Sequence, residues 1–251
     1  MHPMFRRALP VAVYAFVACA ALNAQQAAPS PRTVWDGAYT DAQAERARGT
    51  FNTRCANCHQ LSLPDGPPVG QVGAQGGPVV GPKFWKNFQQ RTVGEMLAWV
   101  SKNMPNGAQA GTLPAQTYAD LVALILKVND FPAGSVEVAP ETVADIRIQP
   151  KDGPGELPAG VLVRVVGCLE RNGTDWELTR ATAPERIDQV GPGPADATRP
   201  LAGRSYTLKF VLTRLDRNVG QRMSVSGLLI GTGGILGINV SQVSRVADAC
   251  P

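Results

Sequence analysis

The chain has 251 residues, enough for two domains of ordinary size. Its 26 Gly and 21 Pro against only 6 % aromatic residues mark a sequence broken by many turns, and a dispersed formal charge of +4 excludes the concentrated basic face of a nucleic-acid binder. Beyond the N-terminal segment no apolar run reaches the roughly 18 residues of a spanning helix, which excludes a membrane span in the mature chain.

Residues 1–24 read as an export signal. Arg6 and Arg7 form its basic start, residues 9–20 its apolar run, and Ala18-Cys19-Ala20 a small-x-small cleavage site, with a cut after Ala24 as competitor. Val17-Ala18-Cys19 partly matches a lipid-attachment site, so a lipid anchor at Cys19 is the alternative, although Phe16 stands where Leu is usual. The expected location is the periplasm.

Thr40-Asp41-Ala42-Gln43 is a capping box and predicts a helix over 41–53, with Phe51 on the face that leads into the next motif. That motif is Cys55-Ala56-Asn57-Cys58-His59. Two thiols two residues apart can add to the two vinyl groups of one haem, and the adjacent imidazole then lies under the iron. A zinc site would need four ligands, and the chain has only His2 and His59. A thioredoxin-like pair would need a βαβ setting that the flanks lack.

Residues 61–82 are rich in Gly and Pro and predict an irregular loop round one edge of the ring. A carbonyl in it should accept the second N–H of His59 and fix its tautomer; Pro78 is the first candidate and Pro68 the second. Thr92-Val93-Gly94-Glu95 is another capping box, opening a helix that ends near Lys102. Met104-Pro105 follows directly and places a thioether as distal iron ligand; Met96 lies on an apolar helix face and Met223 in the other half. Trp85 and Trp99 are either ring contacts or core aromatics. A last helix over 115–128 carries one apolar stripe, Tyr118, Leu121, Val122, Ile125 and Val128, and stops at Asn129-Asp130-Phe131-Pro132.

In this order, Phe51-x-x-x-Cys55-x-x-Cys58-His59, Lys102-Asn103-Met104-Pro105 and residues 118–123 resemble a class I monohaem cytochrome c over about 40–134. The resemblance implies an all-α haem domain, one haem c held by Cys55 and Cys58 through thioethers, and His59 and Met104 as axial ligands. Leu124 stands where that family often has an aromatic residue against the first helix.

The expected organisation is a signal peptide (1–24), a haem domain (35–134), a linker (135–159) and a small all-β domain (160–251). Residues 145–149 are an extended piece free to pack on either half. Strands are predicted over 161–169, 176–180, 205–212, 222–230 and 238–243, with a hairpin turn at Asn172-Gly173, as in a five-stranded OB-like barrel. Most of Trp176, Tyr206 and Phe210 should be core. Gly231-Thr232-Gly233-Gly234 lacks the Lys of a phosphate loop and reads as a hairpin tip. With two cysteines assigned to haem and Cys19 to the leader, Cys168 and Cys250 remain, and in an exported chain they most simply pair; two buried thiols are the alternative.

A His/Met-ligated iron implies a periplasmic single-electron carrier between redox proteins, with no catalytic residues and no nucleic-acid partner. The alternative is the haem electron-acceptor subunit of a quinoprotein-type dehydrogenase, docked through the β-domain. An open iron for gas sensing or peroxidase chemistry is a third possibility that Met104 argues against.

Overall fold

The computed structural model describes residues 31–62, 76–231 and 236–250. The signal peptide, Cys19 and Pro68 lie outside the described residues, as does most of the tip 231–234.

The first half carries α1 (Asp41–Arg54), the short strands β1 (His59–Gln60) and β2 (Gly77–Pro78), α2 (Pro82–Phe88), α3 (Val93–Asn103), α4 (Ala115–Val128) and α5 (Pro140–Val143). Helix α1 begins where the Thr40 hydroxyl accepts from the Gln43 amide at 3.2 Å. Its box is only half formed. The Gln43 side chain is buried and exchanges two bonds with the Val138 backbone instead, at 3.0 and 2.7 Å. At α3 the box is complete: the Thr92 amide donates to the Glu95 carboxylate at 2.7 Å and the Glu95 amide to the Thr92 hydroxyl at 3.0 Å. Every residue of α4 from Tyr118 to Leu126 is buried. Helices α1 and α4 cross through Ala47, Phe51, Leu121 and Leu124, so the aliphatic Leu124 is fully enclosed against small and aromatic partners. Burial of a Leu side chain contributes roughly 1.5–3 kcal/mol. At the rim of the crossing Arg46 forms a two-pronged pair with Asp120 at 3.2 and 3.0 Å and also reaches Glu137.

The second half is a six-stranded mixed sheet of β3 (Leu162–Asn172), β4 (Asp175–Ala181), β5 (Glu185–Arg186), β6 (Arg204–Lys209), β7 (Arg222–Ile230) and β8 (Gly237–Ala247). The order is β4-β6-β8-β7-β3-β5, with a further β3–β4 pairing; β6 and β8 run parallel and the other neighbours antiparallel. Asn172 pairs with Asp175 across the tight turn at Gly173-Thr174. Cys168 in β3 and Cys250 lie at disulfide-bonding distance, Cα–Cα 5.5 Å.

These observations correct the expected fold. The chain is a mixed α/β protein, not an all-α haem domain followed by a closed five-stranded OB-like barrel. Within the first half, β1 and β2 pair in parallel, and Arg147 bridges to both Thr33 and Thr92. The helices do not close their own core either, because Val138, Val143, Ile146 and Ile148 from the expected linker complete it. In the second half a sixth strand, β5, sits at the sheet edge beside β3. Two residues are too few to show a period, and pairing order is non-local, so neither feature is visible in a local pattern. The strand expected over 205–212 ends at Lys209; of the three aromatics expected to be mostly core, Tyr206 is buried, Trp176 packs half-buried against the core, and Phe210 is exposed.

The two halves are joined by polar contacts. Arg186 donates from Nε to the Gln89 carbonyl at 2.6 Å and from Nη2 to the Lys86 carbonyl at 2.7 Å, at the C-terminal end of α2. Burial, with repulsion from Arg91 next, pulls the Arg186 pKa down to about 10, so it remains a cation at neutral pH. Arg91 holds Asp188 at 2.5 Å, and Gln89 donates to the carbonyls of Pro154 and Glu156. No helix among the described residues is long and apolar enough to cross a membrane.

Candidate functional site

The last turn of α1 continues into the thiol motif without a break. The Cys55 amide donates to the Phe51 carbonyl at 2.8 Å, and the Cys58 and His59 amides both donate back to the Cys55 carbonyl, at 3.0 and 2.8 Å. This tight turn sets both thiols and the imidazole on the wall of one cavity of about 640 Å³. Both thiols are free; Cys58 is exposed, while burial and then the neighbouring Cys58 push the Cys55 thiol pKa up.

His59 is held by the loop opposite it. Its Nδ1 lies 3.0 Å from the Gly77 carbonyl, which can only accept, so Nδ1 is the donor in this bond and Nε2 is the ring nitrogen left for a ligand. The expected acceptor was Pro78. The structure corrects this by one residue: β2 pairs in register His59 with Gly77 and Gln60 with Pro78, so the Gly77 carbonyl is the one that reaches the ring. Gly76 is in closer contact still. A Cβ there would lie 2.3 Å from His59 Cε1 and 2.7 Å from the Cys58 carbonyl oxygen, so no other residue fits without movement. Lys83 donates to the Gly76 carbonyl and steadies the same loop. From the other side Asn129, just past α4, donates to the carbonyls of Val79 at 2.9 Å and Ile125 at 2.8 Å, and accepts from the Gly81 amide at 3.2 Å. Sequence reasoning treats Asn129 only as a helix stop; three bonds from one amide make it the clamp of this loop.

Met104 lines the same cavity, 45 residues beyond His59 in the chain. Its backbone is fixed at both ends. The amide donates to the Val100 carbonyl at 2.9 Å, and the carbonyl accepts from the Tyr118 hydroxyl at 2.6 Å and from the Gly111 amide at 3.3 Å. Tyr118 was expected only as part of an apolar stripe, and its hydroxyl is what ties α4 to the methionine loop. The same lining includes the apolar side chains of Phe51, Val79, Phe84, Phe88, Leu121 and Ile125. Among the described residues the charged side chains of the lining are Arg54 and Lys83, with no carboxylate. Trp99 is on the cavity wall, 45 % exposed and edge-on to Phe88, whereas Trp85 belongs to the aromatic cluster with Phe84 and Phe131.

No protein family, curated protein or solved structure matches this chain. Together with the mixed α/β architecture, that overturns the resemblance to class I monohaem cytochrome c: the matching stretches are short local motifs, and the fold around them is not the all-α fold of that family.

The residues present fit a haem on their own chemistry. Two free thiols and an imidazole with its Nδ1 already paired stand on the same lining as a thioether, and among the described residues the rest of that lining is mainly apolar, with four asparagines, the cations Arg54 and Lys83, and no carboxylate. That suits a flat apolar ring bearing anionic substituents. Among the described residues no group of three or more His, Cys, Asp or Glu side chains converges as a metal-ion site.

Proposed function

We propose that this protein is an exported single-electron carrier whose one haem is bound covalently by Cys55 and Cys58, with His59 and Met104 as axial ligands. The observation that carries this is the convergence of all four side chains, drawn from two distant stretches, on one apolar cavity. The haem would supply a reversible ferric/ferrous couple.

The chain's own residues would do the rest. The Gly77 carbonyl keeps the proton of His59 on Nδ1 and makes Nε2 a stronger donor. The Met104 thioether would favour the reduced metal and raise its potential. With His59 and Met104 both holding the iron, no place would be left for an exogenous ligand, and single-electron exchange with redox-protein partners in transient encounters would be the chemistry that remains. The half-exposed Trp99 and the exposed Cys58 mark the side on which the cavity meets solvent.

Export is supported by the basic-then-apolar start of the chain and by the Cys168–Cys250 pair, which suits an oxidising compartment. Intact-mass measurement of protein isolated from an exporting host tests the attachment. The expected mass is that of the chain from the cleavage site plus one haem, and Cys55→Ser with Cys58→Ser should remove the increment. An unmodified mass in the presence of the haem-attachment machinery would contradict the proposal.

A further inference from the structure

Strand β6 holds Tyr206 and Leu208 in the core at fully and nearly fully buried positions. Side chains two apart on a strand share a face, so Phe210 should follow them inward. It does not. Its backbone turns to φ +57°, a conformation that costs an aromatic residue strain, and its ring emerges 74 % exposed. Two residues on, Leu212 is 98 % exposed. Val211 and Leu215 point inward on either side and pack on the sheet core, so the loop 210–215 is anchored rather than loose. Two large apolar side chains are thus held out on a fixed loop.

The charges around this tip are unbalanced. Lys209 is paired with Asp175 and Arg171 with Asp216, which consumes the local carboxylates. Arg214 and Arg217, two and five residues past Leu212, are exposed, and no ion pair or hydrogen bond holds either of them among the described residues. An aromatic and an aliphatic tip flanked by unneutralised arginines is the composition of a shallow bilayer-surface contact: the apolar groups enter the headgroup boundary and the guanidinium groups meet anionic headgroups.

We propose that this loop docks the protein on a lipid surface that carries anionic headgroups, with Phe210 and Leu212 inserted and Arg214 and Arg217 on the phosphates. The contact is independent of the haem. It gives the β half a role, keeping a diffusing carrier at the membrane surface.

Co-sedimentation of the mature protein with vesicles tests this, comparing phosphatidylcholine alone with phosphatidylcholine mixed with phosphatidylglycerol. Binding is expected to the anionic vesicles and to weaken as salt rises. Arg214→Gln with Arg217→Gln should weaken it by roughly 25-fold, about fivefold per charge. Phe210→Ser with Leu212→Ser should weaken it more than tenfold. Both pairs are exposed, so the melting temperature should not fall. No binding to anionic vesicles, or binding that survives the Phe210→Ser and Leu212→Ser changes, would overturn the proposal. Retention on soluble polyglutamate that survives those same changes would assign the patch to an acidic protein partner instead.

Discussion

Gly76 and Gly49 are two glycines with opposite surroundings. At Gly49, on the exposed face of α1, an added Cβ meets nothing within 4 Å, so Gly49→Ala should stabilise the protein by about 0.5–1 kcal/mol through helix propensity. At Gly76 the same methyl would overlap the His59 ring, and Gly76→Ala should cost about 1–3 kcal/mol by forcing the loop off the imidazole. Denaturant unfolding of both variants checks this; a Gly76→Ala protein as stable as the parent would mean that the loop is not held against His59. The two thiols, His59 and Met104, which line one cavity, stand out in the sequence because each lies in a short local pattern whose residue types have few other uses. The Gly77 carbonyl does not, because the choice between neighbouring carbonyls depends on the register of β1 against β2. Asn129 and the Tyr118 hydroxyl were missed for a related reason, since their partners are 50 and 14 residues away.

Among the elements, the three long helices were readable because capping residues and a 3.6-residue stripe coincide; α1, α3 and α4 start at the positions that Thr40, Thr92 and Pro114 mark. Helix α2 was not, since its seven residues follow Gly81-Pro82 and look like the end of a loop. Yet α2 supplies Phe84 and Phe88 to the cavity and is the helix whose end Arg186 caps, so it links the sheet to the site. The Arg91–Asp188 pair beside it makes that link sensitive to acid. The hydrogen bond from Arg91 holds the Asp188 carboxyl below its ordinary value of about 3.9. A carboxylate with a depressed folded-state pKa contributes stability that is complete above the unfolded value and is lost as pH falls through the folded one. Thermal unfolding followed below about pH 4 should therefore show a steeper loss for the parent than for Asp188→Asn. Identical acid limbs would mean that the pair contributes nothing to the joint.

For the molecule as a whole, strand existence was largely readable but arrangement was not. Four of the five expected strands coincide with β3, β4, β7 and β8 in position, while β5 and the parallel β6–β8 pairing depend on which segments meet in space. The shared core built from residues 138–148 turns what looked like a linker into part of the wall behind α3. Phe210 shows the limit most plainly: it falls within the strand expected over 205–212, and one left-handed backbone turn just past the end of β6 places it in solvent. What this arrangement accomplishes is to place His59 and Met104 on one cavity from separate elements, and the proposed electron-carrier role rests on those two acting together as iron ligands. The visible spectrum of the oxidised, exported protein reads that pairing directly. Ligation by both residues predicts a low-spin ferric spectrum with the weak thioether-to-iron charge-transfer band, lost in Met104→Ala. A high-spin spectrum without that band in the unaltered protein, or a band that persists in Met104→Ala, would contradict it.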